Sequence, residues 1–307
     1  MNQPPLVIGS RGSKLALYQS NWVKSELEKQ HPGLQVEIRI IKTSGDLFTE
    51  APLSKIGGKG LFTKEIEEAL IRTDIDLAVH SLKDLPTVLP EGLCLGAVSR
   101  REDVRDALIS NRYQTLEALP AKARVGTSSL RRQSQLLHLR GDLQIENLRG
   151  NLDTRLRKLD QGEYDAILLA CAGLVRLGLG GRITERVPVE RICPAVGQGA
   201  LGLECRSDDT LTRKRLESLN HLETRQAVDA ERSFLRRLGG GCQVPIAAHA
   251  AVQNSCLRMS GVVASTDGRR LFRDEAESPT SDPEELGVVL AEKLLSAGAD
   301  EVIAGLS

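Results

Sequence analysis

Short apolar runs alternate with amphipathic helical patterns along the first 220 residues of the chain. Leu6–Ile8, Ile75–Val79 and Leu93–Val98 are continuous apolar runs, which are typical of strands buried on both faces. Between them, apolar residues recur at helical spacing in segments 14–28 and 61–71. Strands that alternate with helices predict an α/β fold with a largely parallel sheet covered on both faces.

The alternation restarts after a charged connector at residues 99–103, which is a candidate domain boundary. Strand and helix patterns then follow one another from Val125 to Ala170 and predict a second α/β block. From Leu211 the order changes, because two helical segments are followed by three consecutive strand patterns and a closing helix. This order is typical of a small α+β domain, so the sequence predicts three domains.

Composition and charge narrow the class of protein. The 307 residues include 41 basic (Lys and Arg) and 41 acidic side chains, so the formal net charge at pH 7 is zero. A neutral chain lacks the positive field of a general nucleic-acid binder. Its 3% aromatic residues also supply few platforms on which bases could stack. No apolar run approaches the roughly 20 residues that span a bilayer, and Met1–Pro5 shows no signal-peptide pattern. We therefore expect a cytoplasmic protein that binds neither nucleic acid nor a membrane.

Three turns combine small polar residues or glycine with cations, each directly after a predicted strand. They are Ser10–Lys14, Thr127–Arg132 and Arg149–Arg155. Helix N-termini present free N–H groups to anions, hydroxyls add donors, and arginine grips a carboxylate or phosphate with two hydrogen bonds. One such turn is more often ordinary helix capping with solvated charge, but three in one chain favour an anionic ligand. These residue types leave carboxylate and phosphate both open.

The segment His80–Pro86 follows a predicted strand and contains a carboxylate with two possible roles. Ser81 and Asp84 have the spacing of a capping box, which is a structural role. Alternatively, Asp84 is a functional group at the carboxyl end of the strand. A carboxylate beside Lys83 stays ionised, which suits stabilisation of a positive charge better than proton donation. The residues alone leave both interpretations open.

Two glycine-rich segments suggest mobility or a close approach to a ligand. Gly57–Gly60 carries Lys59 but lacks the full phosphate-loop pattern, so it is predicted to be a lid. Gly197–Gly202 spells G-x-G-x-x-G, yet a strand pattern and not a helix follows it. That context excludes a dinucleotide-binding turn and favours a hinge or a backbone contact with a ligand.

Cys242 follows a run of three glycines, whereas Cys94, Cys171 and Cys205 lie in apolar runs. No C-x-x-C pair or metal-ligand spacing occurs, so neither a disulfide framework nor a metal site is expected. A thiol after a helix C-terminus, with no adjacent histidine, is poorly activated as a recurring nucleophile. A thiol that reacts once and stays attached to a ligand suits this setting, and an inert free thiol is the alternative.

Seven segments together resemble the porphobilinogen deaminase (hydroxymethylbilane synthase) family, in order and along essentially the whole chain. The resemblance implies two lobes similar to type 2 periplasmic binding proteins and a small C-terminal α+β domain. It implies domain 1 at residues 1–99 and 200–219, domain 2 at 100–199 and domain 3 at 220–307. The matching segments are Arg11–Ala16, Gly57–Phe62, His80–Pro86, Gly126–Gln133, Leu148–Leu159, Pro194–Gly202 and Gly240–Pro245.

The resemblance further implies a transferase of tetrapyrrole and heme biosynthesis. It would deaminate four porphobilinogen molecules, join them head to tail on a dipyrromethane cofactor and release hydroxymethylbilane by hydrolysis. Asp84 would be catalytic, Cys242 would hold the cofactor through a thioether, and Lys55 and Lys59 would lie on the lid. The implied substrate-binding residues are Arg11, Ser13, Arg149, Arg155 and Arg176. The implied cofactor-binding residues are Ser81, Lys83, Asp84, Thr127, Ser128, Ser129, Arg131, Arg132, Arg149, Asn151, Arg155, Gln198 and Gly199.

By the same resemblance we expect a monomer. One alternative function is a non-catalytic, two-lobed anion-binding protein, which would use the cationic turns but leave Cys242 without a task. A second alternative is nucleic-acid binding through the arginine-rich segment 124–155. Zero net charge and few aromatic residues weaken that alternative.

Overall fold

A computed structural model of the chain describes residues 4–47, 62–240 and 244–305. The chain forms two compact units. Unit 1 comprises Met1–Arg101 and Ala200–Arg225, and unit 2 comprises Glu102–Gly199 and Gln226–Ser307. The chain therefore leaves unit 1, builds a large part of unit 2, and returns before it enters unit 2 again.

Strands in the described residues form three separate sheets. They are β1 (Leu6–Ser10), β2 (Val36–Ile40), β3 (Leu77–Ser81), β4 (Leu93–Val98), β5 (Asp106–Ile109), β6 (Arg124–Gly126), β7 (Gln144–Glu146), β8 (Ala166–Ala170), β9 (Glu185–Val187), β10 (Leu201–Arg206), β11 (Ile246–Gln253), β12 (Cys256–Ala264) and β13 (Leu271–Pro279).

Helices and short helical turns connect or follow these strands. The helices are α1 (Lys14–Gln30), α2 (Ser44–Leu47), α3 (Lys64–Ile71), α4 (Leu130–Leu139), α5 (Leu152–Asp160), α6 (Cys171–Arg176), α7 (Thr210–Leu216), α8 (Leu222–Arg237), α9 (Pro283–Leu294) and α10 (Asp300–Ala304). Leu82–Asp84, Gly180–Arg182 and Glu217–Leu219 form 3-10 turns, and Leu295–Ala299 is a π-helical turn.

Unit 1 is a five-stranded α/β sheet with strand order β2-β1-β3-β10-β4. β1 pairs in parallel with β2 and β3, while β10 runs antiparallel between β3 and β4. Val23 and Leu27 of α1 belong to one hydrophobic cluster, and Ile66 and Leu70 of α3 belong to a second. The expected sheet with two covered faces is confirmed, with one antiparallel strand supplied by the returning chain.

The first sheet of unit 2 repeats this plan with strand order β7-β6-β8-β5-β9. β6 pairs in parallel with β7 and β8, and β5 is antiparallel to β8 and β9. The sequence pattern missed β5 and β9, which have four and three residues. Both faces are covered, and each carries its own buried apolar cluster.

The C-terminal part of unit 2 is an antiparallel sheet, β11-β12-β13, with α8 and α9 contributing to its core. Phe234 and Leu290, both fully buried, pack with Met259 of β12. The expected α+β domain is therefore confirmed, as is the α/β class of the two lobes. The finer domain boundaries at 1–99 with 200–219, 100–199 and 220–307 stay a prediction. Over the described ranges, no helix is long and apolar enough to cross a membrane.

Candidate active site

The end of β3 borders a cavity in unit 1 that gathers four of the predicted residues. Leu82–Asp84 turns directly out of the strand, and Ser81 is the residue that starts this turn. The cavity is lined by Arg11, Ser13, Ser81 and Asp84, together with the backbone or side chains of neighbouring residues. Asp84 is exposed, whereas Ser81 is half-buried. A cation, two hydroxyls and an accessible carboxylate thus converge in one lobe.

The N-terminus of α1 forms one wall of this cavity. Ser13 caps the helix, because its hydroxyl accepts a hydrogen bond from the backbone N–H of Ala16 at 3.3 Å. The first of the three predicted helix-start turns is therefore confirmed. This helix start and Arg11 line the same cavity as Asp84, and a helix N-terminus favours a nearby anion.

Ser81 is held by a neighbouring helix and not by the turn that it starts. Its hydroxyl makes no capping hydrogen bond to the turn Leu82–Asp84. Instead, the side-chain amide of Gln19, which is 3% exposed, donates from Nε2 to Ser81 Oγ at 2.9 Å. The capping-box interpretation of Ser81 and Asp84 is therefore wrong. Gln19 was not predicted from the sequence, although its position on the buried face of α1 could have indicated a structural contact.

Phe62 is a second residue of this cavity that the sequence analysis did not assign to the site. The guanidinium carbon of Arg11 lies over its ring, 4.2 Å from the centroid. At that distance the ring face attracts the cation and fixes its position. Phe62 ends the segment that carried the family resemblance, which was the signal that could have singled it out.

A buried ionisable cluster lies beneath β3. His80 Nε2 and Glu204 Oε2 of the paired strand β10 are 2.9 Å apart, and their side chains are 5% and 0% exposed. Burial raises the pKa of Glu67 on α3, and the negative charge of Glu204 adds to that rise. His80 also lines the cavity that contains Asp84. The sequence analysis gave His80 no role, and its partner Glu204 is 124 positions away in the sequence.

In unit 2, two of the predicted arginines form a buried cluster with a carboxylate. Arg131 Nη1 donates to Asp106 Oδ2 at 2.8 Å, and Arg132 Nη2 donates to Asp106 Oδ1 at 2.7 Å. Gln198 Nε2 donates to the same Oδ1 at 3.0 Å and to the carbonyl of Val104 at 2.7 Å. The structure thus brings Asp106 and Gln198, which are distant in the sequence, to the adjacent pair Arg131 and Arg132.

The turn before α4 supplies hydroxyls next to these arginines. Ser129 is at the N-cap position of α4 with extended backbone angles, although its side chain makes no capping hydrogen bond. Thr127 is buried, and its Oγ1 accepts from the Ser129 N–H at 3.2 Å. Ser128 Oγ donates to the carbonyl of Leu148 at 2.5 Å. The predicted helix-start turn is confirmed.

The third predicted turn precedes α5. Asn151 caps this helix, since its Oδ1 accepts from the Thr154 N–H at 3.0 Å. Arg155 Nε donates to the carbonyl of Gly150 at 2.8 Å, which holds the side chain against the turn. Burial lowers the pKa of Arg149, the residue that begins this segment. A capped helix start with two arginines suits an anion.

Arg176 lies at the end of α6, close to the crossover segment of unit 2. Its Nη2 donates to the carbonyl of Gly199 at 2.6 Å. Gly197 and Gly199 both have positive φ, at 71° and 93°, where glycine is favoured. β10 begins at Leu201, so the strand that excluded a dinucleotide-binding turn is confirmed.

Three predicted residues, Lys55, Lys59 and Cys242, lie outside the described residues. Among the described cysteines, burial raises the pKa of Cys171, Cys193 and Cys205 to about 12, so these thiols stay protonated at neutral pH. Within the described part of the chain, no group of three or more His, Cys, Asp or Glu residues is arranged to hold a metal ion.

The donor set of unit 2 fits a ligand that carries several carboxylates. Planar guanidinium groups, hydroxyls and helix N-termini are the groups that bind carboxylates with directional hydrogen bonds. Arg131 and Arg132 are each 5% exposed, so a ligand anion would be bound in a largely desolvated setting. A dipyrromethane with acetate and propionate side chains matches this chemistry.

Comparison with known proteins decides the family. The family model of the porphobilinogen deaminase, dipyrromethane cofactor-binding domain matches residues 6–214, and that of the porphobilinogen deaminase C-terminal domain matches residues 225–296. The chain belongs to the porphobilinogen deaminase family. It is 54% identical over 299 residues to the porphobilinogen deaminase of Geobacter sulfurreducens, covering 97% of this chain and 94% of the relative. It is 52% identical over 302 residues to that of Synechococcus elongatus, with the same two coverages.

Membership of this porphobilinogen deaminase family confirms the expected enzyme class, activity and cofactor. The chain is a transferase that deaminates and joins porphobilinogen on a dipyrromethane cofactor. This result rejects the non-catalytic anion-binding protein as the function of the chain.

Solved structures with low similarity also match. A periplasmic substrate-binding protein from Coxiella burnetii is 13% identical with a TM-score of 0.46, covering 70% of this chain and 91% of that one. A putative methionine-binding lipoprotein from Bacillus subtilis is 12% identical with a TM-score of 0.44, covering 71% and 90%.

Proposed function

We propose that Asp84 is the catalytic carboxylate of this chain. One observation supports the assignment: an exposed carboxylate at the end of β3 lines the same cavity as Arg11, Ser13 and Ser81. Arg11 and Ser13 have the chemistry to bind an acetate or propionate group of porphobilinogen. That anchoring directs the pyrrole ring and its aminomethyl group toward Asp84.

The charge of Asp84 matters most when ammonia leaves the substrate. The departing amine leaves positive charge on the pyrrole ring, and a nearby carboxylate stabilises that charge through the pyrrole N–H. After the new carbon–carbon bond forms, a ring carbon must lose a proton, which a carboxylate oxygen of Asp84 can accept. Both steps need the carboxylate form of Asp84.

The cofactor, when bound, supplies the pyrrole carbon that attacks the deaminated substrate. We assign the carboxylates of the cofactor to the arginines and neutral donors of unit 2. Each substrate unit adds two more carboxylates, which also need cationic partners. We assign the incoming substrate to Arg11, Ser13, Arg149, Arg155 and Arg176. The proposed cofactor-binding residues are Ser81, Lys83, Asp84, Thr127, Ser128, Ser129, Arg131, Arg132, Arg149, Asn151, Arg155, Gln198 and Gly199.

Cys242 is the proposed attachment residue, through a thioether between its Sγ and the cofactor. Its place after Gly239–Gly241 supports this, since a glycine run leaves a thiol accessible. The high pKa of Cys171, Cys193 and Cys205 disfavours those thiols.

The intact mass of the purified, denatured chain tests the attachment, followed by peptide mapping. We expect a mass excess of two linked pyrroles, carried by the peptide that contains Cys242. Cofactor-free chain should gain this mass when incubated with porphobilinogen, and the Cys242→Ser variant should not. An excess mapped to another cysteine, or a wild-type chain that never gains mass, would contradict the proposal.

Lys55 and Lys59 are proposed to lie on a lid that covers the substrate. Replacing Lys59 with Ala should raise KM for porphobilinogen, because a lid without this cation would attract the substrate carboxylates less strongly. An unchanged KM for both Lys55→Ala and Lys59→Ala would remove the lysines from the binding site.

We also propose a cytoplasmic monomer. Zero net charge gives no electrostatic drive toward membranes or nucleic acid, which supports the expected absence of such partners. Light scattering coupled to size-exclusion chromatography should give a mass near 33.4 kDa. A dimer mass, or recovery of the enzyme in a secreted or membrane fraction, would overturn the respective assignment.

A further inference from the structure

Asp106 is a buried carboxylate that none of the roles assigned above uses. It begins β5 and has no exposed surface. Asp106 Oδ2 accepts from Arg131 Nη1 at 2.8 Å, and Oδ1 accepts from Arg132 Nη2 at 2.7 Å. Oδ1 also accepts from Arg131 Nη2 at 3.3 Å and from Arg132 Nε at 3.1 Å. One carboxylate thus bridges two adjacent guanidinium groups.

Backbone carbonyls complete the anchoring of both arginines. Arg131 Nη1 donates to the carbonyl of Cys193 at 2.7 Å, and Arg132 Nη1 donates to that of Leu168 at 3.1 Å. These contacts engage only part of the N–H donors of each guanidinium, so donors are left for a ligand. Gln198 joins the cluster through its hydrogen bond to Asp106.

The charge balance of this cluster explains why a carboxylate lies there. Two neighbouring guanidinium groups repel each other, and a buried charge without a partner is strongly destabilising. Burial opposes ionisation of Asp106, but the charges of Arg131 and Arg132 outweigh it and lower the pKa of the carboxyl group. Asp106 is therefore ionised at neutral pH, and the three charged side chains together keep a single positive charge.

We propose that Asp106 is a positioning residue, the resident counter-ion that aligns Arg131, Arg132 and Gln198 before the dipyrromethane arrives. The inference rests on the proposed cofactor-binding roles of those three residues. Asp106 acts chiefly in the cofactor-free chain, because the carboxylates of the bound cofactor add negative charge at the same arginines. Its removal should therefore harm the cofactor-free form more than the cofactor-bearing form.

The rate of cofactor acquisition is the first test. Cofactor-free full-length chain is incubated with porphobilinogen, and the mass gain is followed by intact-mass spectrometry. Asp106→Asn should acquire the cofactor at least ~10-fold more slowly than wild type, as for other residues that orient binding groups. The matched control is Asp165→Asn, since Asp165 accepts the Arg124 backbone N–H at 2.8 Å in the same lobe. An Asp106→Asn rate equal to that of the control would overturn the proposal.

Thermal unfolding separates positioning from a merely structural role. The midpoint of Asp106→Asn should fall further below wild type in the cofactor-free form than in the cofactor-bearing form. The reason is that the bound carboxylates replace part of the missing counter-charge. Equal losses in both forms would mean that Asp106 only supports the fold, which would overturn the proposal.

Asp106→Glu keeps the inference testable if the Asn variant does not fold. This variant keeps the negative charge but shifts it by one methylene, so it should fold and still acquire the cofactor several-fold more slowly than wild type. Wild-type acquisition by the Glu variant would overturn the proposal. A wild-type chain that gains no mass would instead contradict the proposed function, so the two failures are distinguishable.

Discussion

Glu204 on β10 holds His80 on β3 at 2.9 Å, and neither side chain reaches the solvent by more than 5% of its surface. The two residues are 124 positions apart, and the antiparallel pairing of β3 with the returning strand brings them together. The raised pKa of Glu67 follows from burial beside this pair.

Glu67→Gln should stabilise the protein at about pH 8 and leave its stability almost unchanged at about pH 4. The folded-state pKa of Glu67 lies above the ordinary value of 4.5, so the neutral acid stabilises the fold below that pH. This contribution is lost as the pH rises through the folded pKa, whereas glutamine stays neutral throughout. Urea unfolding at both pH values checks the result, and a variant less stable than wild type at pH 8 would contradict it.

Asp84→Asn should lower single-turnover ammonia release by roughly 100-fold or more while leaving the fold intact. The amide keeps the shape of the side chain but cannot stabilise a cation or accept the proton. Rapid-quench measurement of ammonia checks the effect, with Glu91→Gln as a control for loss of an exposed carboxylate in the same unit. Near-normal release by the Asn variant would remove Asp84 from the chemistry.

Arg11→Lys should raise KM for porphobilinogen, and Phe62→Leu should weaken this effect. Lysine lacks the planar fork that binds a carboxylate bidentately, and leucine removes the ring that lies 4.2 Å from the guanidinium carbon. A double-mutant cycle on KM should give a coupling of about 0.5–1 kcal/mol, typical of a cation–π pair near the surface. Strictly additive changes would show that the ring does not position Arg11.

Gly287→Ala should destabilise the C-terminal domain by about 1–3 kcal/mol, as overpacking does in cores. A Cβ at this position of α9 would lie 2.3 Å from the carbonyl oxygen of Ala230 and 2.7 Å from the backbone nitrogen of Phe234. Backbone atoms cannot yield as a flexible side chain can, so the helices must separate. Chemical denaturation checks this, with Gly181→Ala as the control because a Cβ there has no heavy atom within 4 Å. Equal stability of the two variants would refute the close approach.

Much of the secondary structure was predictable because it is local. α4 spans Leu130–Leu139, within the predicted strand and helix patterns of the second block, since apolar residues at helical spacing follow a polar turn. β5 and β9 escaped prediction, because they are defined by pairing with strands from distant parts of the chain and not by a pattern of their own. The antiparallel position of β10 was hidden for the same reason, as direction within a sheet is a property of the pairing.

The residues of the candidate site likewise divide into those that local sequence indicates and those that only the fold brings into place. The segments around Arg11, Asp84 and Arg131 carried a readable signal, because anion-binding turns and a carboxylate after a strand depend on neighbouring residues. Gln19 and Phe62, which contact Ser81 and Arg11, carried little signal in the sequence, since their roles depend on what the fold brings next to them.

The two α/β lobes, the small α+β domain and the residue types that bind carboxylates could be predicted from the sequence, and seven motifs in order carried the resemblance to the family. These properties depend on composition, periodicity and motif order, which are local along the chain. The tertiary structure alone decided that Asp106 lies between Arg131 and Arg132, and that Glu204 meets His80. Buried charges need partners within a few ångströms, and only the folded chain sets which distant residues come that close.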